Sequence, residues 1–141
     1  MGLIIKWDED KFDVGVELFN KHHKRLVDLL NLLHSVIDST NNKKHVEIIF
    51  NELAKYTVYH FEAEEKAMEM YNYNHFALHQ IEHKKFVSTV VDSIERYKQG
   101  ITMVEVIKLL DFLREWIINH ILKSDMKYKE FFKEHPEIYE D

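Results

Sequence analysis

Only three glycines and one proline, Pro136, punctuate a chain of 141 residues. Sandwiches, barrels and doubly wound sheets need frequent turns, and turns draw heavily on Gly and Pro. Their scarcity confines the chain to long helices with few, short connections. The apolar pattern agrees. After Gly15, apolar residues recur at Phe19, Leu26, Leu30, Leu33 and Ile37, a helical spacing that Asp38–Asn42 ends. A second stripe runs through Ile49, Leu53, Tyr56, Met68 and Tyr71 to a break at Asn72–Asn74. Asn74 is the expected N-cap of a third helix through Phe76, Phe86, Val90, Ile94 and Tyr97, which Gly100 closes. Thr102 and Glu105 form a Thr-x-x-Glu capping box opening a fourth helix, with Val106, Leu109, Leu113 and Trp116 on its stripe.

The expected fold is therefore all-α, an up-down-up-down antiparallel four-helix bundle in one domain over residues 1–141. Residues 1–15, with Trp7 and Phe12 among charges, read as an extended arm. Residues 16–125 read as the bundle, and 126–141 as a short tail.

Several function classes drop out. With no Cys there are no disulfides, thiolate metal sites or Cys nucleophile. A net charge of −6 gives no electrostatic footprint for nucleic acid. No apolar run is long enough to span a membrane. The opening MGLIIKWDEDK holds an apolar run of three residues, too short for a signal peptide. Lys6 stands where a myristoylation signal takes Ser or Thr. A cytoplasmic location is expected.

The ten histidines carry the functional signal. His23 fills the i+4 position from Phe19. Tyr56 is followed at four-residue steps by His60 and Glu64. His79 and His83 lie between Phe76 and Phe86, and Leu113 and Ile117 lead to His120, with Asp125 five residues beyond. Residues four apart on a helix share a face. In an antiparallel bundle, the late second and fourth helices and the early first and third helices lie at one end. All seven groups therefore converge on one layer of the core. Unpartnered, each would cost roughly 1–3 kcal/mol of desolvation, against a domain stability of about 5–15 kcal/mol. A cation satisfies neutral imidazoles and carboxylates together, and seven donors exceed one transition ion. Two ions bridged by the carboxylates are implied.

The five-residue step from His120 to Asp125 does not suit a regular helix, because it swings about 140° around the axis. A local i→i+5 widening near Leu122–Ser124 is expected to restore Asp125 to the face of His120. His22, about 100° around the helix from His23, is expected at the surface. So are His34, His45, His75 and His135, with His75 one turn before His79.

Imidazole suits Zn, Cu, Fe and Ni, and carboxylate bridges suit Fe and Mn. Neither the His-Glu-x-x-His zinc motif nor any Glu-x-x-His pair of carboxylate-rich di-iron enzymes is present. The donor set is instead rich in histidine. The run of His23, His60-Phe-Glu-Ala-Glu64-Glu65, His79-Gln-Ile-Glu-His83-Lys84 and Trp116-Ile-Ile-Asn-His120-Ile-Leu-Lys-Ser-Asp125 resembles the hemerythrin family, in its bacterial or archaeal single-domain branch. Trp7 and Asp13-Val-Gly-Val16 also resemble that branch, and the likeness covers about residues 5–130.

The resemblance implies a non-haem di-iron centre cycling between Fe2+ and Fe3+. One iron takes His79, His83 and His120, and the other takes His23 and His60. Glu64 and Asp125 bridge them with a solvent-derived oxo or hydroxo group, and the second iron keeps a position open for dioxygen. Phe19, Phe61, Trp116 and Ile117 are the expected apolar walls of the oxygen pocket. Three positions depart from the common family pattern. Asn20-Lys-His-His23 replaces Asp-x-Gln-His, Asn74 replaces a Pro, and Ile117 replaces a Leu.

The leading expectation is reversible dioxygen binding by a carrier, store or delivery protein, without enzymatic turnover. The alternatives are a stand-alone oxygen or redox sensor and a di-iron enzyme acting on peroxide or nitric oxide. Expected partners are dioxygen and an oxygen-consuming enzyme, with no nucleic acid or membrane, and a monomer rather than an oligomer.

Overall fold

The computed structural model describes residues 5–39, 43–100 and 102–133. Helices α1 (Glu17–Ser39), α2 (Lys43–Met70), α3 (Phe76–Gln99) and α4 (Met103–Asn119) follow in order. The chain continues through a π-helical segment, His120–Ser124, a 3-10 turn, Asp125–Tyr128, and a last short helix, α5 (Lys129–Phe132). No strand occurs among the described residues. Helix α1 packs on α2 and α4, and α3 on α2 and α4, the neighbour pattern of an up-down-up-down bundle. The stripes close a core that includes Leu30, Leu33, Leu53 and Leu113, each fully buried.

The ends explain the register. Thr102 caps α4, its side chain accepting from the Glu105 N–H at 3.2 Å. Asn72, with φ 56°, ends α2 in the left-handed conformation. The Tyr73 N–H reaches Met68 O at 2.8 Å and the Asn72 N–H reaches Glu69 O at 3.2 Å, a Schellman closure. This turn overrides Asn74 as a cap. The N-cap of α3 is His75, which makes no side-chain cap bond. The Phe76 N–H is instead taken by Tyr73 O at 3.1 Å.

The arm packs on the bundle, with Ile5, Phe12 and Val14 buried. Asn31 brackets Ile5, accepting from its N–H at 3.0 Å and donating to its carbonyl at 2.8 Å. Asn20, at one of the departures from the family pattern, donates to Asp13 Oδ1 at 2.9 Å and accepts from the Val14 N–H at 2.9 Å. Gly15 has φ +82°, and a Cβ there would stand 2.7 Å from Lys129 Cγ. Backbone conformation and close approach both require glycine.

The short tail after Asp125 is helical in its described part and packs on the bundle. Tyr128 and Phe132 are completely buried and extend the core. They lie four residues apart, on one face of the turn that follows Asp125. Residues 134–141 lie outside the described residues, as does His135. Among the described residues, no helix is long and apolar enough to cross a membrane.

Candidate metal centre

The seven residues meet as the helix levels require. Their donor atoms form two sets, each lying within 4.8 Å: Glu64, His79, His83, His120 and Asp125, and His23, His60, Glu64 and Asp125. All seven side chains are buried, Glu64 and Asp125 completely. The two carboxylates are common to both sets, and each turns one oxygen to either side. Asp125 Oδ1 lies 2.7 Å from His79 Nε2 and 3.1 Å from His120 Nε2, while Oδ2 lies 3.0 Å from His23 Nε2. Glu64 Oε1 lies 3.3 Å from His83 Nε2, and Oε2 lies 3.4 Å from His23 Nε2 and 3.3 Å from His60 Nε2.

Asp125 reaches this position because the helix widens. The Asp125 N–H bonds to His120 O, an i→i+5 link, within the π-helical segment the spacing predicted. An α-helical path would have turned the carboxylate away from the face of His120.

Several of these buried atoms make no hydrogen bond among the described residues: both nitrogens of His23, His60 Nε2, Glu64 Oε1 and Asp125 Oδ2. Apart from His23 Nδ1, on the far side of its ring, they belong to the clustered donor sets yet lack hydrogen-bond geometry, so they aim at shared points rather than at one another. His83 Nε2 and His120 Nε2 face each other at 3.0 Å. Imidazole nitrogens about 2.1 Å from an ion and at right angles stand ~3.0 Å apart. The donor set and its spacing fit non-haem di-iron binding.

In the metal-free cluster, protons perform part of this neutralisation. Burial pushes His23 down, but the carboxylates of Asp125 and Glu64 close to its Nε2 outweigh it and carry the ring up to about 9. Burial likewise opposes His120, which Asp125 and Glu82 raise to about 10. His60 goes the other way, with burial lowering it to about 4. Burial would raise both carboxylates, yet the surrounding imidazoles hold Glu64 and Asp125 well below the usual range.

A ring of supporting groups surrounds the cluster, and sequence reasoning passed over most of it. Tyr128 donates to Glu64 Oε2 at 2.5 Å. Glu65 Oε2 lies 2.9 Å from His83 Nδ1, and Gln80 donates to the other Glu65 oxygen at 3.0 Å. Glu82 Oε2 lies 3.0 Å from His120 Nδ1 and accepts from Ser124 at 2.7 Å. The surface expectation for His22 is wrong. The ring is 4% exposed, and its Nδ1 lies 2.9 Å from His60 Nδ1. Its signal was the i+4 and i+7 relation to the buried Leu26 and Leu29, because a bundle helix buries a face wider than one row. His45 and His75 are exposed and His34 is half-buried.

Beside the cluster lies a small cavity of about 10 Å³. Phe61, Trp116 and Ile117 line it with Leu26, Thr57, Phe86 and Ile121, and it touches His23, His60, His120 and Asp125. Phe61 stacks on His83 with ring centres 3.7 Å apart, and Trp116 stacks on His120 at 4.3 Å. Phe19 is not among the lining residues. It packs edge-on against His60 at 6.0 Å and Tyr128 at 5.8 Å.

The comparisons with known proteins agree with this geometry. The family model described as Hemerythrin HHE cation binding domain matches residues 14–132. A bacteriohemerythrin of Methylococcus capsulatus is 31% identical over 125 residues, covering 89% of this chain and 94% of that protein. A hemerythrin-like protein of Naegleria gruberi is 33% identical, covering 87% of this chain and 89% of its own length. A crystal structure of wild-type hemerythrin superposes with a TM-score of 0.81 at 29% identity, covering 90% of this chain and 96% of that one. Sequence match, superposed fold and a buried set of five imidazoles and two carboxylates lead to one conclusion: the chain belongs to the hemerythrin family.

Proposed function

We propose that the cluster holds two iron ions and that the chain binds dioxygen reversibly beside them, as a carrier, store or delivery protein. His79, His83 and His120 would hold one ion, and His23 and His60 the other. Glu64 and Asp125 would bridge them with a solvent-derived oxo or hydroxo group. When bound, the iron pair supplies the redox change that captures and releases dioxygen.

The observation that carries this reading is the placement of the small, largely apolar cavity. It touches both histidines of the set with fewer protein donors, His23 and His60, against one of the three in the other set, His120, and apart from these and Asp125 its walls are almost wholly apolar. Thr57 is the one polar lining residue outside the proposed ligands, and its hydroxyl donates to Leu53 O at 2.7 Å. Among the lining residues, no acid or base beyond the proposed ligands stands ready to pass a proton into the cavity. Such a wall favours holding and releasing a small apolar molecule over turning it over. Phe61, Trp116 and Ile117 wall the cavity, whose volume sits at the lower bound of about 10–15 Å³ needed for one water.

The test is to reduce the iron-loaded chain without air, expose it to air, then remove the oxygen while following the visible spectrum. A band that appears with oxygen and disappears on deoxygenation, over repeated cycles, supports the proposal. Irreversible loss of the spectrum on first exposure overturns it.

A further inference from the structure

The hydrogen bonds behind the two sets of imidazoles are not alike. In the three-histidine set, two rings are backed by carboxylates. His83 Nδ1 faces Glu65 at 2.9 Å and His120 Nδ1 faces Glu82 at 3.0 Å. Gln80 and Ser124 donate to these carboxylates and fix where they point. In the two-histidine set, His60 Nδ1 faces another imidazole, Nδ1 of His22, at 2.9 Å, and His23 Nδ1 makes no hydrogen bond among the described residues. An anionic acceptor on the far nitrogen fixes the tautomer, orients the ring and makes the near nitrogen a stronger donor to a cation. An imidazole in that place orients the ring without supplying a carboxylate's negative charge. The pattern of backing thus matches the donor count, five residues against four.

We propose that Glu65 and Glu82 make the three-histidine position the tighter of the two, so that a divalent cation enters it first and leaves it last. The His23 and His60 position, with no carboxylate directly behind either ring, then carries the exchangeable ion. Glu65 and Glu82 are positioning residues, acting on the cation only through His83 and His120. This inference rests on the two-ion reading of the cluster, but not on iron or on dioxygen.

The test uses cobalt(II) as probe. The full chain is loaded with two cobalt ions and equilibrated without air against graded concentrations of a chelator, and cobalt per chain is measured. The expected curve has a plateau at one ion. His60→Ala should keep the last-leaving ion, and His79→Ala should lose it. Glu65→Gln and Glu82→Gln should each weaken the last-leaving ion roughly 10–100-fold. Neither should move the first-leaving ion more than Glu62→Gln does, since Glu62 is an exposed acid on the same helix as Glu65. If donor count alone set the order, the plateau would persist and the Gln variants would leave the last ion unmoved. That result overturns the role of the two carboxylates. Two ions leaving together, or Gln variants that weaken the first-leaving ion instead, overturn the inference and leave the two-ion site standing. A chain that never retains cobalt overturns both.

Discussion

Ile117 is the residue on which the proposed pocket can be tested with the least disturbance to the ligands. It is 3% exposed, lines the cavity, and lies one helical turn before His120. Ile117→Ala removes three carbons from a buried position. At about 0.8 kcal/mol per buried methylene the transfer term is ~2.4 kcal/mol. The cavity left behind adds to this, for a total of about 3–4 kcal/mol within the ~2–5 kcal/mol range of such truncations. The present cavity, about 10 Å³, marks the threshold for a single water, and three missing carbons carry it well past that. Water beside the bound oxygen should speed irreversible oxidation several-fold, with iron content unchanged. Denaturant unfolding of the metal-free chain checks the energy, and the decay of the oxygenated spectrum checks the pocket. Leu33→Ala is the control, because Leu33 is fully buried and does not line the cavity. It should cost similar stability and leave oxidation unchanged. An Ile117→Ala protein that oxidises at the parent rate would refute the reasoning and move the wall to Phe61 or Trp116.

Three further predictions follow from the same geometry. His60→Ala or His79→Ala should lose metal and weaken the loaded chain, since binding energy at buried ligands is folding energy; the exposed His45→Ala should do neither, and an equal loss of iron there would undo the ligand assignment. Tyr128→Phe removes the hydrogen bond to Glu64 and should cost the metal-free chain about 1.5–3 kcal/mol, read by denaturant unfolding, with no change in stability contradicting a supporting role. The metal-free chain should also weaken in alkali. His23 and His120 are raised from 6.5 to about 9 and about 10, so their protonated forms contribute fully below about pH 6.5, and that contribution is lost as pH rises through 9 and 10. A melting temperature that stays flat from about pH 7 to 10 would contradict the sign.

The parts of the molecule that sequence made legible are those where one periodicity dominates. Leu30, Leu33, Leu53 and Leu113 lie on unambiguous helical stripes and occupy the core. The convergence of His23, His60, His79, His83 and His120 follows from helix direction and depth alone. Even the widened turn at His120–Ser124 was readable, since two donors five residues apart cannot share a face on an α-helix. What escaped had weaker or competing signals. His22 sits beside the row that contains Phe19 and His23, and a narrow stripe assigns it outward. Glu65 and Glu82 look like solvated charges until the third dimension places a ring nitrogen in front of each. Tyr128 and Phe132 belong to elements of four residues, too short to establish a period, although they complete the core beneath the site. Asn74 lost its capping role to a left-handed residue two positions earlier, which reshaped the turn before α3 could begin.

The most direct test of the central claim is diffraction from iron-loaded crystals, with anomalous differences recorded at the iron absorption edge. Two iron peaks per chain are expected, one against His79, His83 and His120 and the other against His23 and His60, with Glu64 and Asp125 between them. A single peak, or a zinc signal with none from iron after iron-replete expression, would contradict it.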